Sequence, residues 1–210
     1  MIAGEKGGTG KSTTATNLAV HLKLEGVDVV LLDADKQGTS YKFIDRRDKT
    51  NLPKIPCIQK LGNIYNTALD QAARCEVLII DAGGRDSPEM RSGMVAADVI
   101  YIPIKASQAD LETLPTVDEL VTNARAMNPN LKANAILCLA PSNPLINEVQ
   151  EAQALLSDFP NLTLSRCIIR DRKVYRDALL EGKGVVELKN GVAKAEIQLL
   201  AQEIFDNGNQ

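Results

Sequence analysis

Tryptophan is absent from this 210-residue chain, aromatic side chains make up 3% of it, and there is a single histidine, His21. With so few rings the core must come mainly from Leu, Ile, Val and Ala, and a 44% apolar content at this length supports one substantial core. His21 falls inside an expected helix and reads as structural. The four cysteines, Cys57, Cys75, Cys138 and Cys167, are widely spaced. With one histidine they match no zinc-ligand spacing and read as small core residues or free thiols. No apolar stretch is long enough to span a bilayer, and the N-terminus lacks a signal-peptide pattern. Low-complexity tracts, repeats and linkers are missing too, so residues 1–210 are expected to form a single domain.

What is present is concentrated near the start. Glu5-Lys6-Gly7-Gly8-Thr9-Gly10-Lys11-Ser12-Thr13 is a phosphate-binding loop with two lysines. Small residues let backbone N–H groups turn inward around a β-phosphate, so Gly7, Gly8, Thr9, Gly10 and Thr13 are nucleotide-binding candidates. Lys11 is placed to neutralise β- and γ-oxygens, and the Ser12 hydroxyl can ligate Mg²⁺. A helix expected over 12–24 points its positive end at the same phosphates. The strict G-x-x-x-x-G-K-[ST] pattern fails, because Glu5 stands at the first glycine's place; the deviant K-G-G-x-x-G-K-[ST] form matches.

Two apolar runs end in carboxylates. The first, over 27–32, leads into Asp33-Ala34-Asp35, and the second, over 77–80, leads into Asp81-Ala82-Gly83-Gly84. Acidic residues just past a parallel strand lie where ligands bind in open α/β sheets. Asp81 has the Walker B arrangement and is expected to hold Mg²⁺ through water. Ser87-Pro88-Glu89 reads as an N-cap with proline opening a helix. Further strand-like runs at 99–104, 135–140 and 164–169 alternate with helical stretches at 108–127, 145–157 and 191–205. That alternation predicts an α/β fold, a doubly wound, mostly parallel sheet flanked by helices. Only Met1–Gly4 precede the loop, so its strand is expected to be short but still paired; the alternative is a natural chain that begins upstream.

The loop, the switch-like carboxylates and the C-terminal stretch resemble the ParA/MinD family of deviant-loop ATPases, most closely the small ParA-type partition ATPases. The resemblance implies a parallel-sheet NTPase that uses ATP and Mg²⁺ and dimerises face to face around two nucleotides. It assigns Lys6 to the partner's phosphates, with Lys6, Lys11 and Asp35 as the catalytic set, Asp35 orienting the attacking water. Asp33 would support the metal's water shell, giving Ser12, Asp33 and Asp81 as the metal set. Gly84 would sense the γ-phosphate through its backbone. The family's Asp-x-Asp-Pro-Gln appears here with Lys36 at the proline. The loop Ala140-Pro141-Ser142-Asn143-Pro144 is the candidate for adenine contact, through Pro141 among others. No DNA-reading helix-turn-helix, as in larger relatives, is seen at the N-terminus.

Charge distribution completes the expectation. Residues 166–194 hold eight basic against four acidic side chains in a chain of formal net charge −3. Such a strip can hold DNA without reading sequence, as the ParA resemblance implies for the C-terminal part. The candidates are Arg170, Arg172, Lys173, Arg176, Lys189 and Lys194. The expected activity is slow ATP hydrolysis by a cytoplasmic homodimer, nucleoid-associated when ATP-bound and stimulated by a ParB-like centromere-binding partner, in plasmid or chromosome partition. The alternative is a MinD-like membrane-cycling ATPase. It is disfavoured because a membrane helix should be basic, whereas the last helix carries Glu196, Glu203 and Asp206. A nitrogenase-reductase-like carrier would need cluster cysteines after the switches, and none occurs; a dethiobiotin-synthetase-like ligase would need a substrate pocket the sequence does not display.

Overall fold

The computed structural model describes residues 1–141 and 148–206. In chain order the elements are α1 (Lys11–Leu24), β1 (Val29–Ala34), α2 (Thr39–Asp48), β2 (Cys57–Gln59), α3 (Tyr65–Ala72), β3 (Val77–Ala82), α4 (Pro88–Ala96) and β4 (Val99–Ile104). They continue with α5 (Gln108–Leu111), α6 (Leu114–Arg125), β5 (Lys132–Ala140), α7 (Glu148–Leu156), β6 (Thr163–Arg170), α8 (Lys173–Glu181), a 3-10 turn (Val185–Glu187) and α9 (Gly191–Asp206).

Two three-stranded sheets, β2-β1-β3 and β4-β5-β6, have every pairing parallel. Ile2 joins them, bridging Asp81 on one side and Tyr101 on the other. Its N–H donates to the Ile80 carbonyl at 2.7 Å, and the Tyr101 N–H donates to the Met1 carbonyl at 2.9 Å. The residues ahead of the phosphate loop are therefore the short, paired central strand expected of them. One apolar cluster packs α3, α4, α6 and α7 against one face, including Met90, Met94, Leu114 and Val117; the other packs α1, α2, α8 and α9, including Leu18, Phe43, Tyr175 and Ile197. Helices on both faces of a parallel sheet are the doubly wound arrangement.

The structure also revises several element expectations. The stretch 108–127 is two helices, because Pro115 in the first turn of α6 has no N–H with which to continue a preceding helix. Helix α2, strand β2 and helix α3 went unforeseen. Of α2's ten residues only Ser40, Phe43, Ile44 and Arg47 are buried, too few apolar positions for a periodic signal. Residues 142–147, with most of the proposed adenine loop and the start of the helix expected at 145, lie outside the described residues. Ser87 caps α4 as expected, its hydroxyl accepting from the Met90 N–H at 3.1 Å ahead of Pro88.

Arg47 anchors the switch-proximal helix to the C-terminal region. Its side chain is fully buried and pairs twice with Glu187, at 2.9 Å each, while also donating to the Gly182 carbonyl at 3.0 Å and the Pro53 carbonyl at 2.8 Å. Gly182 has φ 66°, and a Cβ there would come 2.5 Å from the Arg47 backbone nitrogen. The turn over 182–187 is thus a socket for Arg47.

Candidate nucleotide-binding site

The loop Glu5–Thr13 leaves the C-terminal end of the central strand and feeds α1, whose N-cap is Gly10. Gly8 (φ 71°) and Gly10 (φ 96°) lie in the left-handed region, where an L side chain is strained. Gly7 is not so constrained, and a Cβ there would meet nothing within 4 Å. An open cleft of about 270 Å³ lies over the loop, lined among others by Gly7, Lys11, Ser12, Asp35, Thr39 and Gly84. Gly8, Gly10 and Thr13 also line it, whereas the buried Thr9 turns its hydroxyl back toward the Lys6 carbonyl at 3.4 Å.

The two lysines go different ways. Lys11 is 6% exposed, and its ammonium is bonded to the Lys6 carbonyl inside the loop. Burial holds its pKa below the ordinary lysine value, opposed by the nearby carboxylates of Asp81, Asp35, Asp110 and Glu5. Lys6 donates instead to the Ala109 carbonyl in α5, outside its own cleft.

The three strand-end carboxylates are equally distinct. Asp33 is fully buried, accepting the Asp35 N–H at 3.0 Å on one oxygen and the Tyr41 N–H at 2.7 Å on the other. Burial raises its pKa against those two bonds. Its oxygens thus organise the first switch and the start of α2. Asp35 stands in the cleft, one oxygen accepting the Gln37 N–H at 2.9 Å, with Gly83 so close that a Cβ there would sit 3.1 Å from the Asp35 carboxyl carbon. Asp81 is fully buried, and its Oδ2 accepts from the Ser40 hydroxyl at 2.7 Å. Burial pushes its pKa up to about 7, opposed by the Ser40 and Ser12 hydroxyls. Its Oδ1 is buried with no partner among the described residues.

An orphaned buried carboxylate oxygen next to a hydroxyl is incomplete as a protein site, and a hydrated divalent cation is what hard oxygen donors of this kind take. Ser12 and Asp81 therefore fit Mg²⁺. Ser40, which sequence reasoning missed, belongs to the same cluster; its only sequence signal is its place one turn after Asp35.

Gly84 is pressed against the phosphate loop, where a Cβ would lie 2.9 Å from the Gly7 nitrogen and from the Lys6 carbonyl carbon. The Arg85 N–H donates to the Glu5 carbonyl at 2.5 Å, so the second switch rests directly on the loop. Pro141 reaches this end of the sheet, its carbonyl accepting from the Arg170 guanidinium.

The basic strip is largely paired. Arg172 ties α8 to α9 through Glu196 at 2.9 Å and is half-buried; it is a structural anchor and presents little charge outward. Lys173 pairs with Asp177 at 2.7 Å and Arg176 with Asp171 at 2.5 Å, both at the surface. Lys189 and Lys194 are exposed, with no ion pair among the described residues. Glu196 also accepts from the Tyr175 hydroxyl at 2.8 Å, and Glu203, 6% exposed, accepts from the Tyr101 hydroxyl at 3.1 Å.

Comparison with known proteins places this geometry. The sequence model of the family described as "MipZ: ATPase MipZ" matches residues 1–130. The maintenance of carboxysome distribution protein A of Halothiobacillus neapolitanus is 30% identical over 208 residues, covering 97% of this chain and 94% of its own. The chromosome-partitioning ATPase Soj of Thermus thermophilus is 27% identical over 182 residues, covering 72% of this chain and 73% of its own. In structure the fold is similar to apo McdA of Cyanothece (TM-score 0.77, 19% identity, 97% of each chain). It is also similar to the cell-division ATPase MinD of Pyrococcus furiosus (TM-score 0.73, 18% identity, 97% of each chain). A family model matching residues 1–130 and a relative 30% identical over 97% of the chain show the family, and the chain belongs to the ParA/MinD family of ATPases, whose cofactors are ATP and Mg²⁺.

Proposed function

We propose that this chain is a positioning ATPase of the ParA type, which closes as a face-to-face homodimer on ATP, holds DNA without sequence preference, and is released when a cargo-borne partner stimulates hydrolysis. The observation that carries the reading is the division of labour between the two lysines. Lys11 is committed to its own cleft, while Lys6 leaves it, free to exchange the Ala109 carbonyl for a second copy's phosphates. Charge arriving from a partner ties turnover to pairing. Asp35, at the cleft mouth beside Gly83, is suited to orient the attacking water. Ser12 and Asp81 would hold Mg²⁺, which neutralises phosphate charge when bound. Gly84, seated on the loop, would have to shift when a γ-phosphate enters, and this gives the second switch its sensing role.

For the DNA-holding surface the structure supports a reduced set. Lys189 and Lys194 supply unpaired charge, Lys173, Arg176 and Arg170 contribute to the rim, and Arg172 fixes α8 beneath them. Cargo is a ParB-like centromere complex in the partition reading. A protein-shelled cargo is the second reading, supported by the 30% identity to a carboxysome-distribution protein over 97% of this chain. The test is light scattering of wild type and Asp35→Ala with ADP and then ATP, with and without random duplex DNA. Asp35→Ala should form a stable ATP-dependent pair that retains DNA at low salt and loses it as salt rises. Absence of an ATP-dependent pair, or salt-independent retention, refutes the proposal.

A further inference from the structure

Among the described residues only two non-glycine positions have positive φ, Arg85 (77°) and Leu139 (53°). Arg85 follows Gly83-Gly84, at the point where the second switch rests on the phosphate loop. An L-residue held there is strained, and glycine would take the same φ freely. Strain of this kind persists where something compensates for it, and it clusters at ligand clamps and switches. The fold makes no use of the side chain: it is exposed, and no carboxylate or carbonyl partner of the guanidinium is found among the described residues. The adjacent Asp86 is taken by Arg91, whose Nε lies 2.5 Å from Oδ1 with a second bond to Oδ2. Arg85 does not line its own cleft, although Gly84 beside it does. The chain thus places an unpartnered guanidinium at the rim of the nucleotide cleft, on the same loop assembly from which Lys6 leaves.

The geometry points to Arg85 as a second cation delivered in trans, onto the γ-phosphate of the nucleotide held by a second copy of this chain. The inference rests on the ATP-dependent pair proposed above. In the reaction a water oxygen bonds to the γ-phosphorus, the bond from that phosphorus to the β-bridging oxygen breaks with its electron pair passing to ADP, and the water proton leaves to phosphate or solvent. Negative charge grows on the equatorial and bridging oxygens as this happens, and a planar guanidinium can meet two of them at once. Arg85 gives up no proton; it stabilises charge.

Arg85→Gly is the informative variant, because it removes the cation and relieves the backbone. Its melting temperature should be no lower than wild type, with ATP binding and the ATP-dependent pair retained in light scattering. Turnover should fall by at least about 10-fold with little change in KM, an arginine finger being worth about 10³–10⁵ where it is the main added charge. Arg85→Lys should recover part of that loss. Mixing Arg85→Gly with Asp35→Ala should restore turnover neither has alone, since one site then has its own Asp35 and the other copy's Arg85. Wild-type turnover in Arg85→Gly, loss of its ATP-dependent pair, or no recovery on mixing overturns the inference. If Asp35→Ala alone turns over normally, the fault lies in the underlying reading of Asp35.

Discussion

Substituting Glu187 by alanine should leave the most deeply buried cation of the fold without its counter-charge. Arg47 has no exposed side-chain surface, and Glu187 provides two of the four bonds that hold its guanidinium. The carboxylate also accepts the Gly184 N–H at 2.9 Å, so the turn over Val185–Glu187 loses its own brace. Breaking a buried pair from one side costs about 3–5 kcal/mol, chiefly the penalty of an uncompensated charge. In a domain of this size each kcal/mol lowers the melting temperature by about 2–4 °C, giving a drop of roughly 6–20 °C. Differential scanning calorimetry of wild type, Glu187→Ala, Glu187→Gln and Arg47→Met/Glu187→Leu would measure it. The glutamine variant should fall between, since it still offers an oxygen to the guanidinium. The apolar double variant should regain most of the loss, because it leaves no buried charge. The consequence extends to the site. Helix α2, whose last turn Arg47 holds, begins with the Ser40 and Tyr41 groups that bind Asp81 and Asp33. Mg²⁺-ATP should therefore restore part of the lost stability. A Glu187→Ala protein within about 1 kcal/mol of wild type would refute the reasoning and mean that Arg47 reaches water.

Three further outcomes follow from the site. Lys11→Ala should keep its fold by circular dichroism and lose nucleotide binding in calorimetric titration, as no other cation among the described residues lines the cleft. Gly84→Ala places a methyl against backbone at 2.9 Å; because backbone cannot yield as a side chain does, ligand-free stability should fall by about 1–3 kcal/mol in denaturant titration. Asp81 gives a pH signature. Folded, it holds its proton up to about pH 7, while an ordinary carboxyl near 3.8 has lost it, so this group's contribution to ligand-free stability is full below about 4 and lost as pH rises toward 7. Mg²⁺ needs the ionised carboxylate, so its retention should strengthen over the same rise. Asp81→Asn should flatten both profiles in melting and Mg²⁺ titration.

The phosphate end of the site was legible because backbone demands dictate residue type there. Left-handed turns at Gly8 and Gly10, and the close seat of Gly84, exclude side chains and leave a glycine signature. Strands β3 and β4 were legible because strands buried on both faces read as unbroken apolar runs. Helix α2 was not, because its buried side includes Arg47 and Ser40, polar residues whose partners are distant in sequence. Ser40 and Asp81 are 41 positions apart and Arg47 and Glu187 are 140 apart. Local periodicity has no access to such pairs. The same blindness affected the basic strip, where a count of charges could not foresee that Arg172 is spent on Glu196.

Helix α9 shows how a composition argument can mislead about function. Glu196 and Glu203 suggested an acidic outer surface, unsuited to an anionic membrane. In the fold both carboxylates turn inward to tyrosine hydroxyls and to Arg172 or the Arg166 N–H, which donates to Glu203 at 2.9 Å. The exposed positions of α9 instead include Val192 and Leu199, each more than half exposed, Phe205, and Lys194 on another side of the helix. Glu196 and Glu203 therefore no longer argue against a membrane surface. No helix among the described residues is long and apolar enough to cross a membrane, but lying on one needs only a basic apolar face. The discrimination passes to the arrangement of these positions: Val192, Leu199 and Phe205 are spread around the helix and form no continuous apolar stripe, whereas phosphate contacts need only separated lysines. Retention on random DNA against co-sedimentation with anionic vesicles, both with ATP and with Lys189→Glu/Lys194→Glu as control, decides between them. DNA retention lost in the control, with no vesicle binding by wild type, is the expected result; vesicle binding that survives the charge reversal would refute the DNA assignment of Lys189 and Lys194.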